Sequence, residues 1–159
     1  MAAPPGDTAS YEVPDLVDAL AQLSFVILNS LAEIAGEHEL SIVQVRLLGV
    51  LRDREPNMNT LGRHLGLDKS SVSGLVDRAQ RRGLVVRTPS KIDGRSFRVS
   101  ITESGHHTVE KVATAYAARI ATLTETLTPQ DRQTLAQYAN RIIVADARWN
   151  GIDLRIGRH

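Results

Sequence analysis

The sequence predicts a mainly α protein with one small β-hairpin, its middle built as a compact unit between long helices at both ends. Three observations predict it. Apolar residues recur at helical spacing through both ends of the chain, and two short capped helices meet at a glycine turn in the middle. The pattern then switches from a period near 3.6 to a period of 2, and back again.

The first long segment runs from about Pro14 to Ala35, where Leu16, Leu20, Leu23, Ile27, Leu31 and Ile34 recur at steps of three or four. That spacing puts them on one stripe of a helix, and Gly36 is its expected stop. Ser41 to Gln44 has the form of a capping box, in which a hydroxyl and an amide satisfy free backbone N–H groups. The helix it starts is expected to run to about Leu51, burying Val45, Leu48 and Leu51 or their neighbours, before Pro56 breaks the chain.

Asn57 is placed to cap a short helix to about Leu65, with Leu61 and Leu65 inward. Gly66-Leu67 makes a tight turn, and Asp68 caps a second helix to Arg82, ended by Gly83. Two short helices with a glycine in the turn form a helix-turn-helix. Leu84 to Thr88 is then β-rich, and Phe97, Val99 and Ile101 alternate with Arg98 and Ser100 around the polar loop Pro89 to Arg95. A hairpin directly after the second helix is a wing, so the fold class is a winged helix-turn-helix with long N- and C-terminal helices.

Thr102 caps a long helix in which Val109, Val112, Tyr116, Ile120, Leu123 and Leu127 repeat at steps of three and four. Thr128 to Asp131 restarts the chain, Pro129 suits the first helical position, and Leu135, Tyr138, Ile142, Ala145 and Trp149 continue the stripe. The expected organisation is a flexible tail over 1–13, a helical dimerisation region over 14–38 and 103–150, the winged helix-turn-helix over 40–102, and a C-terminal tail over 151–159. A lone helix cannot bury such stripes. They are expected to pack on each other or on a second copy, and a two-fold dimer would hold two helix-turn-helix units at a fixed spacing.

Composition narrows the class. At 159 residues, 42% hydrophobic and 23% charged, the chain is long enough for one domain with a core, which with 4% aromatics must rest on Leu, Ile, Val and Ala. Without cysteine there are no disulfides and no cysteine-rich zinc sites. No stretch approaches the roughly 20 apolar residues of a membrane span, and the start has neither the basic head nor the apolar run of a secretory signal, so the expected compartment is the cytoplasm. The net charge of +1 hides an asymmetry. Thr60 to Ser100 holds nine basic and three acidic residues, a net of +6 against −5 elsewhere, which suggests a polyanion partner for the middle alone.

In the helix Lys69 to Arg82, Val72, Leu75, Val76 and Ala79 make the inner face. Ser70, Ser73, Gly74, Asp77 and Arg81 then point outward, with Lys69, Ser71 and Arg78 on the flanks. Small hydroxyls and a glycine serve helix stability poorly, Gly74 costing about 1 kcal/mol against alanine. They suit a helix that must enter a groove about 12 Å wide and approach base edges. The helix start is expected to offer free N–H groups and a positive dipole to phosphate. Asp77 is expected to pair with Arg81 or to accept from a cytosine amino group. Arg87, Lys91 and Arg95 add basic groups on the wing, where Arg95 suits a narrow minor groove and Asp93 is spaced to hold its guanidinium. An Asp-Gly pair also serves a turn for its backbone geometry alone.

The run Leu67 to Arg78, then Arg82-Gly-Leu-Val85, Asp93-Gly-Arg95, Val99-Ser-Ile-Thr102 and Glu103-Ser-Gly105, closely resembles the MarR family of bacterial transcription regulators. The resemblance covers about Leu40 to Gly105. It implies a homodimer, usually a repressor, bound to a palindromic operator in duplex DNA and released by a small-molecule effector of aromatic or anionic kind. It also implies that Ser70, Ser71, Ser73 and Arg78 touch the major groove and its backbone, with Arg95 in the minor groove supported by Asp93. Gly62 in place of a usual alanine, Ala79 in place of a leucine and Ser96 in place of a second arginine depart from the pattern.

If the family pattern holds, an effector pocket would lie between the first two helices and the DNA-binding unit, with Phe25, Asn29, His38 and Arg46 as candidates. His106 and Glu110, one turn apart on one helix, are weak metal candidates, with Glu37 to Glu39 as further ligands, and would make the protein a zinc- or other metal-responsive regulator of the same fold. No cofactor is expected. With no glycine-rich phosphate loop, nucleophile motif or spaced His and acid constellation, the chain does not read as an enzyme. An acidic protein is the other partner that a basic winged helix suits.

Overall fold

The computed structural model describes residues 15–89 and 97–152. The element order is α1 (Leu16–Glu37), α2 (Ile42–Leu51), α3 (Met58–Leu65), α4 (Lys69–Arg81), β1 (Val85–Pro89), β2 (Phe97–Ile101), α5 (Glu103–Leu123) and α6 (Pro129–Trp149). The tails at 1–13 and 153–159 and the wing loop with Lys91, Asp93, Arg95 and Ser96 lie outside the described residues.

The caps form as the sequence dictates. Ser41 and Gln44 close a capping box on α2, Asn57 accepts from the Thr60 N–H, Thr102 from the Gly105 N–H, and Thr128 and Asp131 cap α6 reciprocally. Gly66 ends α3 with φ 67°, and Gly83 follows α4 with φ 71°, the left-handed backbone that glycine adopts without steric cost. β1 and β2 pair antiparallel, Val85 opposite Ile101 and Pro89 opposite Phe97. Asn57 bridges to Arg98 beside them, and the Val99 N–H donates to the Pro56 carbonyl at 3.0 Å, so the wing is sewn to the segment before α3.

Three expectations need correction. α1 does not stop at Gly36. It runs to Glu37, and the reversal falls on Glu39 at φ 56°, where the Leu40 N–H closes back on the Ala35 carbonyl at 2.8 Å and Leu40 enters the core. α5 ends at Leu123 instead of near Leu127, because the Thr124 hydroxyl donates to the Ile120 carbonyl and the Arg132 guanidinium takes the Thr124 carbonyl. By length and composition alone, α1 is also apolar enough to cross a membrane, contrary to the reading that no stretch approaches a span. In the fold its C-terminal half lies against α5 and α2, and buried Ser30 accepts from Arg119 of α5 at 3.3 Å.

One core runs through the winged unit and into the long helices: Ile34, Ala35 and Leu40; Leu47, Leu48 and Leu51; Leu61 and Leu65; Val72, Leu75, Val76 and Ala79; Leu84, Val85, Val99, Val109 and Val112. Val45, expected inside, is half-buried in favour of Leu47. The ends of the long helices are another matter. Leu16, Leu20 and Leu23 of α1 and Leu135, Tyr138, Ile142 and Ile143 of α6 stand exposed, and Ala147 is the one buried residue of α6 among those described.

Candidate nucleic-acid interface

α4 shows a sharp two-sided division. Val72, Leu75, Val76 and Ala79 are all at most 2% exposed, as the periodicity requires. Lys69, Ser70, Ser71, Arg78 and Arg81 are exposed on the other side, with Ser73, Gly74 and Asp77 half-buried between. A groove of about 440 Å³ runs past Ser70, Ser71, Gly74 and Arg78 toward Ser41, and a second, also about 440 Å³, lies between Asn59, Arg63 and Lys69. Gly74 leaves the helix flank bare there. A Cβ at that position would sit 3.4 Å from the Arg78 guanidinium, which lies back along the helix.

The helix start differs from expectation. Two of its N–H groups are already taken: Asp68 Oδ1 accepts from the Ser70 and Ser71 N–H groups at 2.9 Å each. The hydroxyls go the same way, Ser70 Oγ to Oδ1 at 2.6 Å and Ser71 Oγ to Oδ2 at 2.7 Å. These bonds, the Ser70 hydroxyl foremost, hold the Asp68 carboxyl far below the usual carboxylate range.

Asp77 pairs with Arg87 of β1 and not with Arg81. The Arg87 guanidinium also donates to the Ser73 carbonyl at 3.2 Å, so one side chain clamps the first wing strand to the middle of α4. No spacing rule would have found a pair ten residues apart on a helix and a strand. Arg82, beyond the helix end, donates to the Glu39 carbonyl and faces the Glu39 carboxylate at 3.8 Å, tying α4 to the corner after α1. Gly62, where the resemblance leads one to expect alanine, has a reason here. A Cβ would stand 3.0 Å from the Leu67 carbonyl and 3.4 Å from Val72, so glycine lets the turn close tightly between α3 and α4.

The remaining candidates are dispersed. Phe25 is 65% exposed, Asn29 and Arg46 are exposed and His38 is half-buried at the end of α1; neither groove described above is lined by any of them. His106 is half-buried and Glu110 exposed on α5, and among the described residues no three His, Asp or Glu side chains gather to hold a metal ion.

Residues 38–96 match the family model described as MarR family. The HTH-type transcriptional regulator YkoM of Bacillus subtilis is 28% identical over 100 residues; the match spans 62% of this chain and 65% of YkoM, just under two thirds of its length. Among solved structures, the transcriptional repressor CouR bound to a 23-mer DNA duplex superposes with a TM-score of 0.71 at 25% identity, covering 81% of this chain and 92% of that one. Wild-type MarR of E. coli in its apo form gives 0.71 at 21% identity, covering 82% and 98%. The fold of those regulators, long helices included, is thus shared by this chain, and its residues 38–96 are similar to the MarR-family model.

Proposed function

We propose that the protein is a sequence-specific regulator of transcription that binds a pseudo-palindromic operator in duplex DNA as a homodimer, inserting α4 into the major groove. The observation that carries this reading is the division of α4: an inner face fixed in the core, and an outer face of small hydroxyls, one glycine and basic groups. A helix so anchored presents its outer side chains from a backbone that needs no further ordering on binding. The unpartnered apolar faces of α1 and α6 support a second copy as their cover, since exposed patches of that kind mark interfaces. Repression, and release by a small aromatic or anionic ligand, rest on the family resemblance, as does action in the cytoplasm where the operator lies. YkoM is named a transcriptional regulator and CouR a transcriptional repressor.

The test is a titration of the full chain with a random duplex and with genomic fragments at several salt concentrations. Binding should weaken steeply as salt rises, because each neutralised phosphate releases counterions. Salt-independent binding, or capture of acidic proteins with no affinity for duplex, would refute it.

A further inference from the structure

The geometry at the start of α4 deepens the DNA-binding reading and rests on it. An ionised carboxylate has no proton to give, so the bonds between Asp68 and the Ser70 and Ser71 hydroxyls consume the single hydrogen of each. What each oxygen keeps for a partner is its lone pairs. We propose that Asp68 sets the polarity of Ser70 and Ser71, so that both hydroxyls meet the operator as acceptors and read the exocyclic amino group of adenine or cytosine in the major groove.

The chemistry of the groove leaves few choices. Phosphate oxygens, guanine O6 and N7 and thymine O4 are acceptors only, and the donors on the major-groove floor are adenine N6 and cytosine N4. The Asp68 carboxylate, exposed on the same turn, also repels phosphate. Two of the helix-start N–H groups that ordinarily bind an anion, those of Ser70 and Ser71, are already spent on Asp68. Both serines border the open groove next to Gly74, where a base edge has room to approach. Ser73 is different: its hydroxyl has no partner among the described residues and remains free to donate.

The experiment compares the full chain with Asp68→Asn, Ser70→Ala and Ser71→Ala, by selection from duplexes randomised over the operator, with melting temperatures measured alongside. Asn also caps helices, but its amide carries one acceptor and one donor, so at least one serine hydroxyl recovers its proton. The wild type should favour adenine or cytosine at one or two positions per half-site by about five-fold, the worth of one hydrogen bond. Each serine variant should lose that preference at one position. Asp68→Asn should move it toward guanine or thymine while tightening binding to every duplex, because a negative charge is gone. If all three variants rank sequences as the wild type does, with affinity changes uniform across duplexes, the proposal is overturned and the serines are not base readers. A wild type that binds duplex with no base preference anywhere overturns the operator reading as well. Should Asp68→Asn melt far below the wild type, the serine variants decide, since the cap N–H bonds survive in both.

Discussion

Replacing Arg87 by alanine tests whether the acidic member of the outer α4 face is neutralised from within the protein. The guanidinium bonds both the Asp77 carboxylate and the Ser73 carbonyl, with side chains 22% and 43% exposed for Arg87 and Asp77. Fully exposed pairs contribute about 0.2–1 kcal/mol, and breaking a fully buried one costs about 3–5. A half-sheltered, charge-assisted pair belongs between, so a double-mutant cycle of Arg87→Ala and Asp77→Ala should give a coupling of about 1–2 kcal/mol in urea denaturation. DNA affinity then follows from the bare charge. Without Arg87, Asp77 faces the backbone, and one phosphate about 8 Å away costs roughly 0.5–2 kcal/mol across effective dielectrics of 80 to 20. Arg87→Ala should therefore weaken duplex binding about tenfold, the middle of that range. The double variant should recover most of the loss, since both charges have gone. If it binds as weakly as Arg87→Ala alone, Arg87 touches phosphate directly and the clamp is not its role.

Other consequences are open to direct measurement. A Cβ at Gly105 would stand 2.1 Å from the Leu84 carbonyl and 2.7 Å from Ile101, so Gly105→Ala should destabilise by about 3 kcal/mol or more. Gly49→Ala, with nothing within 4 Å inside α2, should stabilise by about 1 kcal/mol; equal urea midpoints for the two would contradict the packing described. Ile142→Glu on the bare face of α6 should halve the sedimenting mass and abolish any rise of melting temperature with protein concentration. An unchanged mass would show that no second copy covers this face. Asp68 has a depressed folded-state pKa, so its stabilisation is complete above the unfolded carboxylate value and lost as pH falls through the folded one. The stability gap between wild type and Asp68→Asn should hold from pH 7 to 5 and close only below about pH 4, near the ordinary Asp pKa. A gap that closes above pH 5 would deny Asp68 that role.

What the sequence made legible was local. The caps at Ser41, Asn57, Asp68, Thr102 and Thr128 and the inner face of α4 all follow from spacings of four residues or fewer, and each is where the pattern puts it. The Asp68 cap was visible too, yet its claim on the Ser70 and Ser71 hydroxyls was not, because capping rules count backbone N–H groups and ignore side-chain protons. Pairs across elements were out of reach: Asp77 with Arg87, and Arg82 with the Glu39 carbonyl 43 residues away. The end of α1 was misplaced for a related reason. Gly36 can stop a helix, but the left-handed turn settled where Leu40 could reach the core, at Glu39.

Those cross-element bonds bear on how the site relates to the rest of the molecule. Asp68 fixes the start of α4, Arg87 ties its middle to the wing, and Arg82 holds its end against the corner after α1. The Thr102 hydroxyl, at the start of α5, donates to the Gly83 carbonyl just beyond α4, and the Thr102 N–H holds the Leu84 carbonyl at 3.0 Å. α4 is therefore attached at its far end to the corner after α1 and to α5, and those two long helices also pack on each other. In the two-copy assembly proposed here, the distance between the paired α4 helices is set by how α1 and α5 lie, and a well-packed core does not deform continuously. Any shift of α1 against α5 would then carry the far end of α4 with it.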